Sequence, residues 1–271
     1  MLIVTLLSIG FMAYGGGRAV AAQQQQTVSQ LAETVDNYII TSSDILESIA
    51  TLVPRSPPVQ VFQYLDASRQ AYGHFETIYL LDDEYKVVTL SPMDENYLRF
   101  DFSRQPFIQD QAHLNEVLIS KPDDSIRTGK PIVYLTILVE GPAVVVGELN
   151  LDQLQDLITN SPTVSEESTI FLTDSHGNLL AHSNPDLLAQ QENFGGHLLF
   201  NQDSHDRLSN NYFADGNYFL GTSQRVSQTD WLVAIEQMQT DVYGSYLNTA
   251  LITILLAILT FIITVGLFGL Q

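Results

Sequence analysis

The chain of 271 residues contains no cysteine. That removes disulfide frameworks, thiolate zinc sites, iron–sulfur clusters and cysteine nucleophiles at once. Positive charge is scarce: 11 Lys and Arg stand against 31 Asp and Glu, a net charge of −20. So acidic a surface repels a phosphate backbone, which excludes nucleic acid as a partner. Enzyme signatures are missing as well. No G-x-S-x-G, H-E-x-x-H or G-x-G-x-x-G occurs. Gly129-Lys130 is followed by Pro131, where a phosphate-binding loop needs Ser or Thr. His176 and His182 lie across a hairpin and read as turn and strand residues rather than metal ligands. The chain therefore reads as a non-enzyme without cofactor or metal. What it has is 45% apolar and 10% aromatic residues, enough to bury a core.

Charge and apolarity are segregated along the chain. Val242 to Gln271 carries no charged side chain, and Ala250 to Leu270 has only Thr253, Thr260 and Thr264 as polar side chains. A helix of about 20 such residues spans a bilayer core, and no polar face is left to pack it as a soluble helix. Tyr243 and Tyr246 precede it, at the place of an aromatic belt. Met1 to Tyr14 is also uncharged and apolar, then Gly15-Gly16-Gly17-Arg18 follows. Two readings stand for residues 1–17: a first transmembrane helix cut short, or a signal segment with Ala19-Val20-Ala21 as its cleavage site. The acidic, cysteine-free bulk between the two ends is placed outside the cytoplasm, and the chain as a whole at the cell membrane.

From Val28 the apolar positions run Val28, Leu31, Val35, Tyr38, Ile45, Ile49 and Leu52, with Ser42 as the one polar member. Alternating steps of three and four predict a long helix, ended by Pro54, Pro57 and Pro58. The stripe either packs along its own domain or also forms a homodimer seam.

Two blocks with one pattern follow. In the first, Phe75–Leu81 and Lys86–Leu90 read as strands about an acidic turn. A short helix to His113 comes next, then strands at Val117–Ser120, Pro131–Val139 and Ala143–Leu149, with Gly141-Pro142 turning the last hairpin. In the second, Ser168–Asp174 and Leu179–Ser183 flank the turn Ser175-His176-Gly177-Asn178. A Pro185-started helix follows, then strands at Tyr212–Ala214, Asn217–Thr222 and Trp231–Glu236, with Asp215-Gly216 as a hairpin signal. The fold class is α+β: a long N-terminal helix and two tandem PAS-like antiparallel sheets, the second smaller, flanked by transmembrane helices. The expected divisions are 18–74 for the long helix and linker, 75–160 for a membrane-distal subdomain, 161–240 for a membrane-proximal one and 246–270 for the transmembrane helix.

Several segments carry a resemblance in this order: Tyr79-Leu80-Leu81-Asp82, Asp101-Phe102-Ser103-Arg104-Gln105-Pro106-Phe107, Ile119-Ser120-Lys121-Pro122, Thr128-Gly129-Lys130-Pro131, Val146–Asp152 and Phe171–His182. Over residues 27 to 240 the chain resembles the double Cache family, the extracytoplasmic input domains of bacterial chemoreceptors, histidine kinases and cyclic-nucleotide enzymes. The resemblance implies a small-molecule ligand in the membrane-distal sheet. It implies Arg104 for a ligand carboxylate and Glu148, on the last strand, for a ligand amine. Pro106 stands where amino-acid-binding members carry an aromatic, and Asp123 where they carry Tyr. These departures weigh against amino-acid specificity: the extra acid suits an amine better than an amino acid, and the implied ligand is an amine or an amino-acid-like solute. Phe107 and Tyr134 complete the implied ligand set.

Each of these residues has a plainer reading too. Arg104 can be a surface charge, and Phe107 and Tyr134 core. Glu148, in an apolar run, must pair or face out. Two functions follow from this. One is a membrane-anchored sensor that binds a solute and moves its transmembrane helix. The other is a ligand-independent dimerisation or interaction module, favoured if large side chains fill the space between Arg104 and Glu148.

Overall fold

The computed structural model describes residues 2–109, 116–139, 143–161, 164, 167–190, 192–200 and 210–268, with the side chains of residues 2–15, 58, 109, 210, 245–247, 250, 257, 261 and 263–268 left aside. One helix, α1, runs Leu2–Leu52. It continues through the glycines at 15–17 rather than starting at Val28. A Cβ at Gly17 would stand 2.6 Å from the Tyr243 hydroxyl, so glycine lets the C-terminal helix approach here. The prolines that stop α1 start a second helix, α2, Pro58–Tyr72, which ends on Gly73 at φ 71°. Glycine takes that left-handed position without a Cβ clash. The expected linker after Pro58 is therefore helical.

The first sheet holds β1 (Phe75–Leu81), β2 (Val87–Ser91), β3 (Val117–Ile119), β6 (Tyr134–Val139) and β7 (Ala143–Leu149). Beside it lie the short helix α3 (Pro106–Gln109) and a small hairpin, β4 (Asp123–Asp124) with β5 (Pro131–Ile132). Helix α4 (Leu151–Thr159), capped by the Asn150 side chain, leads to the second sheet. That sheet holds β8 (Ser168–Thr173), β9 (Leu179–His182), β10 (Asn210–Ala214), β11 (Asn217–Arg225) and β12 (Leu232–Met238), with α5 (Pro185–Ala189) after β9. Helix α6 (Gln239–Phe268) follows β12 directly.

The strand orders are β2-β1-β7-β6-β3 and, read the same way, β9-β8-β12-β11-β10. Both sheets thus have five strands in one topology, and the second is not the smaller. The repeat is local as well. Thr77-Ile78-Tyr79-Leu80-Leu81-Asp82 corresponds to Thr169-Ile170-Phe171-Leu172-Thr173-Asp174. Asp82 accepts from the amides of Glu84 and Lys86 at 3.0 and 2.9 Å, and Asp174 from those of His176 and Asn178 at 2.8 Å. Tyr85 and Gly177 take positive φ at the same step of the turn. At Asp215 and Gly216 the φ angles are 49° and 80°, the turn that their sequence predicts. The Gly141-Pro142 turn and the helix end near His113 lie outside the described residues.

The α1 stripe is spent within the chain. Val28, Leu31, Val35, Tyr38, Ile45 and Ile49 are all buried in one core with Ile78, Val145 and Ile137 of the first sheet and Ile170, Leu172 and Val233 of the second. The stripe thus packs along its own domain, except for Leu52 at its end, which is 39% exposed. Ser42 fits for a local reason: its hydroxyl bonds Tyr38 O at 2.6 Å and lies 2.9 Å from His74 Nδ1. Among the described residues no helix is long and apolar enough to cross a membrane. In α6, Leu251, Ile252, Leu255 and Ile262 are each more than half exposed.

Candidate functional site

Strand alternation gives each sheet two faces. One face of the first sheet covers α1. On the other, Thr77, Tyr79 and Leu81 of β1 line up with Glu148, Val146 and Val144 of β7. These line up in turn with Tyr134, Thr136 and Leu138 of β6. Glu148 therefore sits on the central strand between Thr77 and Tyr134. Phe102, Phe107 and Ile108 close over this face.

Glu148 is wholly buried. Its Oε1 accepts from the Tyr79 hydroxyl at 3.0 Å and from the Ser125 hydroxyl at 3.0 Å. Its Oε2 is buried and receives no hydrogen bond of proper geometry. Thr136 Oγ1, on the same face, is likewise buried and unpartnered. Burial pushes the Glu148 carboxyl above its ordinary range, while the Thr77, Tyr79 and Ser125 hydroxyls and the Arg127 charge act in the opposite sense. Burial, and then the Glu148 charge, push the Tyr79 and Tyr134 phenols up, so both stay neutral.

The β4–β5 hairpin brings the hydroxyl and the cation. Ser125 Oγ accepts from the amides of Arg127 and Thr128 at 3.2 and 3.1 Å, which orients its one proton toward Glu148. Arg127 Nε donates to Thr77 Oγ1 at 3.1 Å. Tyr97 holds the hairpin from outside through the Ile126 and Arg127 carbonyls, at 3.4 Å each.

Of the five expected site residues, three share this region. Glu148 and Tyr134 are paired in register, and Phe107 stacks on Tyr134 with ring centroids 4.0 Å apart. Arg104 is exposed and its charge acts on Asp101, whose carboxyl is held low mainly by Ser103. The cation that acts on Glu148 is Arg127. Asp123 is exposed on β4 and accepts from the Asp124 amide at 2.8 Å. Thr77, Tyr79, Ser125, Arg127 and Thr136 were not anticipated. Alternation along Glu76-Thr77-Ile78-Tyr79 could have found the first two. Ser125 and Arg127 lie in an irregular hairpin that leaves no periodic signal. Among the described residues no group of His, Asp and Glu could hold a metal ion.

The second sheet repeats the acid. Glu236 on β12 lies between Thr169 of β8 and Gly221 of β11, the places of Glu148, Thr77 and Tyr134. Tyr212 donates to Glu236 Oε2, and His197 Nε2 lies 3.3 Å from the same oxygen.

Two sheets of one strand order on a shared helix, one with a buried acid short of donors, define a tandem PAS-like sensor domain. The chain belongs to the Cache domain family, whose dCache_1 model matches residues 17–246. No curated protein sequence matches. Among solved structures, the ligand-binding domain of Campylobacter jejuni chemoreceptor Tlp3 in complex with L-valine is similar with 15% identity and TM-score 0.68, over 86% of this chain and 98% of that one. The ligand-binding domain of the Pseudomonas aeruginosa PAO1 amino acid chemoreceptor PctB with L-Arg gives 16%, TM-score 0.68, and 83% and 98%. The ligand-binding domain of Mlp24 with asparagine gives 16%, TM-score 0.63, and 88% and 99%.

Proposed function

We propose that the chain is the membrane-anchored, extracytoplasmic input domain of a receptor, and that it binds a small solute carrying a cationic group at Glu148. The carrying observation is the buried Glu148 Oε2 with no donor. An unmet buried carboxylate oxygen costs free energy, and an ammonium supplies the missing donors and the missing charge. The neighbouring chemoreceptor domains that bind L-valine, asparagine and L-Arg support an amine-bearing ligand. Residues 75–160 form the membrane-distal, ligand-bearing subdomain in this reading. Residues 161–240 form the proximal one, and 246–270 the transmembrane helix, with 1–17 as its N-terminal counterpart or a signal segment. Residues 18–74 supply the spine and α2. The signal passes from β12 straight into α6, which continue without a loop. No catalytic role is assigned. We keep a homodimer in this reading, with its contact away from the buried part of the α1 stripe.

Arg104 and Asp123 belong to the rim in this reading, where they meet the solute's outer groups. Phe107 and Tyr134 form its wall. The aromatic stack of Phe107 on Tyr134 also favours the second reading, an interaction module whose ligand face is filled by its own side chains.

The two readings separate by experiment. A thermal-shift screen of the full chain in detergent, against amines, amino acids and carboxylates, tests for a binder. A solute at about 100 times its dissociation constant stabilises by about 2.7 kcal/mol. The sensor reading expects a hit that carries a cation and is lost in Glu148→Gln. A screen without any cationic hit favours the interaction module. Reporter fusions at Ser161 and Gln271 test the membrane placement, with opposite sides expected.

A further inference from the structure

Between the two sheets lies a cleft of about 400 Å³ that the site above does not use. Its volume is that of a small-molecule site. The first-sheet wall is the edge strand β3, with Val117 and Ile119, and Lys121 just beyond it. The second-sheet wall is the turn from β11 to β12, with Asp230 and Trp231. Trp231 is buried, only 3% exposed, and with Val117 and Ile119 it gives the cleft an apolar floor.

Charge is arranged across it. Among the described residues neither Lys121 nor Asp230 takes part in an ion pair. Asp174, the other carboxylate of the lining, is engaged by the His176 and Asn178 amides and the Asn178 side chain. One wall thus offers a cation and the opposite wall an anion. A solute with a single charge would satisfy one wall only. A dipolar solute satisfies both, and its chain covers the apolar floor.

The anionic wall is also held in place. Asp230 sits at φ 56°, with its amide on Val226 O at 3.2 Å and its carbonyl accepting from Arg225 at 3.0 Å. The Ser227 and Gln228 amides donate to the Asp36 carboxylate of α1 at 3.1 and 3.0 Å. A group presented on so fixed a turn loses little freedom on binding. The clasp also ties the turn to the helix that joins both sheets.

We propose that this cleft is a second solute site, which takes a small zwitterion with its carboxylate on Lys121, its ammonium on Asp230 and its carbon chain against Trp231. The proposal is independent of the reading at Glu148. The chain's single tryptophan lies in the cleft, so its fluorescence reports on this site. The test titrates the full chain in detergent with β-alanine, γ-aminobutyrate and δ-aminovalerate, with butylamine and butyrate as controls. A saturable change in Trp231 emission is expected for at least one amino carboxylate and for neither control. Lys121→Gln and Asp230→Asn should each weaken it about 10-fold or more, as the loss of one charged hydrogen bond does. Both side chains are exposed, and Asn accepts positive φ as Asp does, so both variants keep the fold. Glu148→Gln should leave the titration unchanged. No saturable change with any of the three, or affinity unchanged from the parent's in both cleft variants, overturns the proposal. A signal lost in Glu148→Gln and kept in Lys121→Gln and Asp230→Asn also overturns it, since it then comes from the first-sheet face.

Discussion

The two sheets carry a glutamate at the same register position and surround it differently. Glu148 faces Tyr134, and Glu236 faces Gly221. Tyr79 donates to Glu148, while the matching residue in the second sheet is Phe171, which cannot donate. There Tyr212 and His197 reach the acid from outside the central strands. At Gly221 a Cβ would stand 2.8 Å from Leu199 and 3.1 Å from the Tyr212 ring, so the missing side chain leaves room for Tyr212. Glu236 keeps a 14% exposed side chain with its partners around it. Glu148 is wholly buried with one oxygen unmet. The same backbone repeat thus surrounds one acid with partners and leaves the other buried with one oxygen unpartnered. Buried polar groups are nearly always paired; hydroxyls of Thr89, Thr136, Thr173 and Thr222 and the Gln24 side-chain carbonyl are also unpartnered, and Glu148 differs from them in carrying an ionisable group.

This contrast can be broken or sharpened by experiment. The largest effect is expected where the two sheets are alike. Ile78→Ala and Ile170→Ala remove equivalent, fully buried side chains from one shared core. Each should cost about 2–5 kcal/mol in a single cooperative denaturant transition. Two separate transitions would show that the sheets do not share a core.

Next comes the donor to each acid. Tyr79→Phe removes one of the two hydroxyls that donate to Glu148 Oε1 and should cost about 1–3 kcal/mol in chemical denaturation. Tyr212→Phe should cost less, about 0.5–1.5 kcal/mol, because His197 stays beside Glu236. Equal costs would erase the distinction drawn between the acids.

The pH response should separate them further. Burial raises the folded-state pKa of Glu148, so the folded chain takes up this proton before the unfolded chain does. Its contribution to stability therefore grows as pH falls through the raised folded value and levels off near the ordinary Glu value of about 4.3. His182 in the second sheet acts in the opposite sense. Burial lowers its pKa, so its contribution is lost as pH falls from about 6.5 through the lowered folded value. Melting temperature against pH should show the acid-side gain in the parent and not in Glu148→Gln. An identical profile in the two would place the proton elsewhere.

The smallest effects belong to the rim. Arg104→Ala and Asp123→Asn change exposed side chains and should shift stability by less than about 0.5 kcal/mol. Their effect on ligand affinity, read by calorimetric titration, should be smaller than that of Glu148→Gln.

Much of this was legible in the residues. The heptad stripe, the strands of both blocks and the Asp215-Gly216 turn follow from periodicity and turn chemistry, which are local. Glu148 stood out because a charge in an apolar run demands an explanation. The destination of the α1 stripe was not local: a 3-4 pattern fits a partner helix and a pair of sheets equally, and only the fold decides. The partners of Glu148 were hidden for the same reason. Ser125 and Arg127 come from a hairpin across the face, and nothing in the sequence pattern places the Arg127 charge near Glu148. The equality of the sheets was obscured because β11 extends beyond its apolar stretch, through Ser223 to Arg225.

The central claim is that Glu148 Oε2 receives the cation of a bound solute. A structure of the chain with the tightest cationic hit from the screen tests it most directly. The account predicts a ligand nitrogen within about 3.2 Å of that oxygen, on the face of Tyr79 and Tyr134. A ligand bound elsewhere, with Glu148 Oε2 still lacking a donor, would contradict it.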